Sequence, residues 1–199
     1  MKVSVSFWFC AMVCLLGWID SSACCCFLFA VILHELGHIL ALKLWRIKIV
    51  SVRFFMCGAR IDTACLPYGV EVACAAAGPL VGVVIGVVMI CRVPLFAMIS
   101  IGLSIVNMLP LYPLDGGRIL RSVLLMMLTH ERAEATLHMI TVCMCAILML
   151  FACWFAIELQ TGVWPIFAAV ALLWKAGGAE KQLLFFGTKD RMEGQDYKR

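Results

Sequence analysis

Long apolar runs, separated by short clusters of charge, set the pattern of the chain. Residues 4–19, 24–42, 70–91, 94–112, 136–157 and 163–175 are six candidate membrane spans. The first and last are short against the roughly 20 residues that a helix needs to cross a bilayer. Between the second and third runs, residues 46–66 change character. Ile47, Ile49, Val50, Val52, Phe54 and Phe55 are β-branched or aromatic, they are interleaved with Lys48, Ser51 and Arg53, and Gly58 interrupts them, which predicts a β-hairpin. Residues 118–135 mix Arg118, Arg121, Glu131, Arg132 and Glu134 with leucines, which predicts a partly amphipathic helix at the membrane surface. The expected fold is therefore an all-α polytopic membrane protein of about six transmembrane helices with a small β-hairpin after the second. Residues 1–175 form the six-span core, and 176–199 form a polar cytoplasmic tail.

Composition narrows this further. Of 199 residues, 64% are hydrophobic and 14% charged, with a mean hydropathy of +1.04, which excludes an ordinary water-soluble globule. The 16 basic residues give a net charge of +4, but their placement speaks of orientation in a lipid bilayer rather than of nucleic acid. With both termini in the cytoplasm, every Lys and Arg except Arg92 falls on the inside. Lys2 followed by an apolar run and by Ser21, Ser22 and Ala23 also fits a cleaved leader, yet only a retained first span makes the later charges agree. The 12 cysteines form no CxxC pair and lie mostly in apolar runs, so they read as free, buried small hydrophobes.

An ionisable group inside a membrane helix costs at least about 2.5–3.5 kcal/mol, and the second run carries three together. His34-Glu35-Leu36-Gly37-His38 is an HExxH motif flanked by Ile32, Leu33, Ile39 and Leu40. Residues four apart share a helix face, so His34 and His38 can present two imidazoles to one Zn²⁺ with Glu35 beside the open position. A catalytic zinc site takes a third protein ligand. Asp115 is the other acid in an apolar stretch at that depth, within Asn107-Met108-Leu109-Pro110-Leu111-Tyr112-Pro113-Leu114-Asp115-Gly116-Gly117-Arg118, whose prolines break the helix and whose glycines permit tight turns. Gly78, Gly82 and Gly86, spaced by four in the third run, read as a helix-packing face.

The order of HELGH, then AAAGPL (75–80), then NMLPLYPLDGGR (107–118) resembles the site-2 protease family of intramembrane zinc metalloproteases, and within it the short stage IV sporulation branch. The resemblance runs from residue 1 to about 175. It implies one zinc ion held by His34, His38 and Asp115, Glu35 as catalytic acid/base, and Asn107 holding the substrate or the oxyanion. It also implies a bacterial cell membrane protein that cuts a membrane-embedded or membrane-associated protein, such as a sigma factor precursor, under a membrane regulator or inhibitor.

Two other classes compete. In a membrane metal transporter the same three ligands would bind an ion in transit, but Glu35 then has no role and no string of further ligands marks a path. A non-cleaving peptide-binding module would not need to keep Glu35. A serine or aspartyl intramembrane protease lacks its nucleophile motif or its second membrane aspartate. His130, Glu134 and His138, spaced by four, are a weaker second candidate for metal.

Overall fold

Asp20 starts the helix that carries the HExxH motif. In a computed structural model, which describes residues 2–5, 13, 14, 17–47, 49–55, 58–63, 66–158 and 170, helix α1 spans Ser21–Leu44. The Asp20 carboxylate accepts from the amides of Ser22 and Ala23 at 2.8 and 3.1 Å, giving two first-turn N–H groups an acceptor. Those bonds, Ala23 first and then Ser22, hold its carboxyl below the usual aspartate range. The helix ends in a Schellman turn. Arg46 takes φ 54°, its N–H donates to the Lys43 carbonyl at 3.0 Å, and the Ile47 N–H donates to that of Leu42 at 2.9 Å. Along α1, Phe29, Ile32, Leu36 and Leu40 are exposed, whereas Ala30, Val31, His34, Glu35, Gly37, His38 and Leu42 are buried. With Val31 and Leu42 as exceptions, bulky apolar groups face outward and polar or small groups inward, the arrangement that lipid selects.

Three strands, β1 (Lys2–Val5), β2 (Ile49–Phe55) and β3 (Gly58–Thr63), form a sheet in the order β1-β2-β3. β1 runs parallel to β2, with Lys2 opposite Ser51, and β3 runs antiparallel to it, with Ile61 opposite Val52. Ser4 and Val5, which open the first candidate span, are thus strand, and of the rest of that run only residues 13, 14 and 17–19, all helical, are described.

Helices α2 (Tyr68–Met89) and α3 (Pro94–Asn107) pack on α1 and on each other. Their crossing is close. Ser100 Oγ donates to the Gly82 carbonyl at 2.8 Å, and a Cβ on Gly82 or Gly86 would strike Ser104 Oγ or Ile101. Phe29 and Phe96 pack with ring centroids 5.7 Å apart. α3 stops at Asn107, short of the expected 94–112, because Pro110 has no N–H to continue the ladder.

The chain divides into two compact units, Met1–Leu109 and Pro110–Arg199. The second holds α4 (Asp115–Met127) and α5 (His130–Glu158). The helix expected over 118–135 is therefore broken, its last residues beginning α5 after the two-residue link Leu128–Thr129.

Among the described residues, three helices are long and apolar enough to cross a membrane: Ser21–Leu44, Tyr68–Met89 and His130–Trp154. They match the runs at 24–42, 70–91 and 136–157, and make this a multi-pass membrane protein. Apart from Val170, the run at 163–175 and the tail at 176–199 lie outside the described residues. Nine described cysteines are free, but only Cys24, Cys74 and Cys145 are buried, so the expectation of burial holds for a minority of them.

The αL turn at Arg46 gives a stability test. Arg46→Gly removes the Cβ clash of that conformation and Arg46→Val sharpens it, while both remove the same charge. The glycine variant should be the more stable of the two by about 1–2 kcal/mol in thermal unfolding of the bilayer-embedded protein, and equal stabilities would contradict the turn.

Candidate metal centre

The HExxH residues sit at the middle of α1, on the face turned away from its exposed stripe. His34, Glu35 and His38 are 3%, 7% and 6% exposed. His38 Nδ1 lies 2.8 Å from the Cys74 carbonyl of α2, and a carbonyl can only accept, so Nδ1 carries the proton and Nε2 offers a lone pair. That Nε2 faces His34 Nε2 at 3.3 Å, with the two rings edge to face at 81°. Two zinc bonds of about 2.0–2.1 Å at a tetrahedral angle would hold their nitrogens about 3.3–3.4 Å apart. The imidazole pair therefore already has the spacing that one tetrahedral metal ion requires, and its donor chemistry suits zinc.

Two glycines make this possible. A Cβ on Gly37 would come within 2.9 Å of the Ala77 carbonyl oxygen, so α1 and α2 approach backbone to backbone. A Cβ on Gly78 would fall on the His38 imidazole itself. Pro79 follows within the helix and has no N–H to give the Ala75 carbonyl, which loosens the ladder beside the Cys74 carbonyl that His38 uses. The glycine face read from the sequence is thus divided between two tasks. Gly82 and Gly86 pack on α3, whereas Gly78 cradles a histidine. The sequence places Gly78 in a packing face and does not foretell its position against His38 or the part of the Cys74 carbonyl, for which the Gly-Pro pair inside an apolar run is the available signal.

In the second unit, Asp115 is the first residue of α4 and is 8% exposed. The chain reaches it through a tight turn in which the Leu114 N–H donates to the Leu111 carbonyl at 2.7 Å, with Leu111 and Leu114 buried. Gly117 lies under that turn, where any Cβ would meet the backbone of Leu111 and Tyr112. Arg118 Nη1 stands 3.6 Å from Asp115 Oδ1. Asn107, at the end of α3 in the first unit, is half-buried and donates from its side-chain amide to the Leu103 carbonyl at 3.1 Å. Of the weaker second candidate, Glu134 is taken by Arg121, and His130 and His138 are exposed.

Residues 92–151 match the family model described as Peptidase family M50. The stage IV sporulation protein FB of Bacillus subtilis is 30% identical over 162 residues, which cover 74% of this chain and 55% of that protein. Zinc metalloprotease MJ0392 of Methanocaldococcus jannaschii is 32% identical over 108 residues, 48% of this chain and 32% of that one. The chain thus spans about half the length of the first relative and about a third of the second. In fold it is similar to the site-2 protease from Methanocaldococcus jannaschii, with a TM-score of 0.70 at 22% identity, covering 90% of this chain and 92% of that one. The resemblance to the site-2 protease family read from the motifs is shown by these matches.

The cradle yields a mutational test. Gly78→Ala should push the His38 ring aside and weaken zinc binding by about 10–100-fold, the usual cost of disturbing a ligand's support. Gly86→Ala, whose nearest contacts are the Ile101 side chain and the Ala97 carbonyl, should leave zinc affinity unchanged. Equal zinc affinities in Gly78→Ala and wild type, by competition with a chromophoric chelator, would contradict the cradle.

Proposed function

We propose that this protein is a zinc metalloendopeptidase of the site-2 protease type, which hydrolyses a peptide bond of a membrane-embedded or membrane-associated protein near the cytoplasmic face of a bacterial membrane. The observation that carries the reading is the buried imidazole pair 3.3 Å apart, with Glu35 buried beside it in a helix apolar enough to span a bilayer. His34, His38 and Asp115 are the proposed ligands of one zinc ion, and each is buried and offers one ligand atom. When bound, zinc lowers the pKa of its water to about 7 and polarises a carbonyl.

Glu35 supplies the proton movement. Its carboxylate takes a proton from the attacking water as the oxygen adds to the scissile carbonyl carbon, and returns it to the amine nitrogen as the C–N bond breaks. Asn107 turns its amide from the Leu103 carbonyl to hold the substrate backbone or the oxyanion. A helical substrate hides its carbonyls in its own hydrogen bonds, so it must be drawn out before attack. The hairpin, taken to lie at the membrane surface, is the proposed sheet edge against which an extended segment pairs.

Residues 1–175 form a six-span core, 176–199 form a cytoplasmic tail, and both termini lie in the cytoplasm, as the distribution of Lys and Arg favours. A sigma factor precursor is the proposed substrate class, which the sporulation relative supports, with a membrane regulator or inhibitor restraining cleavage.

Glu35→Gln keeps the side chain's shape and removes its basicity. Co-expressed with a membrane-tethered precursor, it should lose about 10²–10⁴-fold in cleavage while the purified protein retains its zinc. Undiminished cleavage would refute the role of Glu35. A wild type that binds zinc and cuts none of a panel of tethered segments, while Glu35→Gln alters metal flux into vesicles, would replace the protease with a transporter.

A further inference from the structure

Helix α4 carries Asp115 and is only 13 residues long, about 20 Å, so it cannot cross a bilayer and must be held by what it touches. Its N-terminal end is fixed by the turn over Gly117, and its C-terminal end is joined to α5 by the two residues Leu128–Thr129. Between these ends Arg121 of α4 meets Glu134 of α5. Arg121 donates through Nε at 2.9 Å and through Nη2 at 2.6 Å to the same Glu134 oxygen, with the two side chains only 25% and 26% exposed. α5 itself is committed to lipid, with Met139, Val142, Ile147 and Leu150 exposed along it. A two-donor arginine contact in a partly desolvated setting resists both separation and rotation. Arg121 lies six residues beyond Asp115, about 9 Å along the axis, so the contact fixes the rotation of α4 that aims the Asp115 carboxylate.

We propose that Arg121 and Glu134 are a positioning pair for Asp115, holding α4 on the membrane-anchored α5 in the rotation in which Asp115 can ligate metal. The proposal rests on the reading of Asp115 as a zinc ligand. Neither residue touches the metal or the substrate, so their effect is exerted through the helix.

The test is zinc affinity, by chelator competition on the full chain in lipid nanodiscs, for Arg121→Glu, Glu134→Arg, the double exchange Arg121→Glu/Glu134→Arg, Arg121→Lys and Asp115→Ala. Thermal unfolding followed by circular dichroism reports folding for each. Each single reversal should weaken zinc by about 10–100-fold, the double exchange should recover affinity to within a few-fold, and Arg121→Lys, which keeps charge but loses the fork, should fall between. Single reversals that lower the unfolding temperature but leave zinc affinity at the wild-type value would reduce the pair to a structural tie and overturn the proposal. So would a double exchange no better than the singles. Asp115→Ala binding zinc as tightly as wild type would overturn the ligand reading on which the proposal stands, and is separable from failure of the pair alone.

Discussion

The need to keep three ionisable side chains in a helix surrounded by lipid governs this structure. Ionisable groups left facing hydrocarbon are costly, about 2.5–3.5 kcal/mol or more when charged, so α1 is favoured in a bilayer when His34, Glu35 and His38 turn inward and find partners. That demand explains the neighbouring helices. α2 must come close enough for the Cys74 carbonyl to reach His38 at 2.8 Å, and such an approach is possible only where Gly37 and Gly78 leave out their side chains. The large apolar residues are left for the outside, where Ile32, Leu36 and Leu40 meet lipid. The placement of the two imidazoles and the packing of the first unit are thus one solution to one problem.

The second unit solves a related problem with backbone. Pro110 ends the ladder of α3, and the chain turns tightly over Gly117 before α4 begins with a buried carboxylate. Irregular backbone at membrane depth is tolerated where protein covers it, and the burial of Leu111, Leu114, Gly116 and Gly117 meets that condition. Arg118 at 3.6 Å gives Asp115 a nearby positive charge, and the fork of Arg121 on Glu134 ties α4 to α5.

Much of this was legible in the sequence because its causes are local. HExxH announces itself by spacing, the apolar runs by length, and the break before Asp115 by its prolines and glycines. Features that depend on a second element were not. Nothing in the spacing of Gly78, Gly82 and Gly86 separates a glycine that cradles an imidazole from two that pack on α3, since the difference lies in which residue of another helix stands opposite. The junction of α4 and α5 was missed because residues 118–135 read as one amphipathic stretch, and the turn at Leu128–Thr129 contains no Gly or Pro to mark it. The strand Lys2–Val5 was hidden because its second half opens an apolar run, where period alone cannot tell a strand from the start of a helix.

The central claim is that two histidines of one membrane helix and an aspartate ligate zinc, and X-ray absorption at the zinc edge of the purified protein tests it most directly. The account predicts two histidine nitrogens at about 2.0–2.1 Å and oxygen neighbours at about 2.0–2.2 Å, with no sulfur. A sulfur shell at about 2.3 Å would show cysteine ligation in this cysteine-rich chain and would contradict it, as would the absence of imidazole scattering.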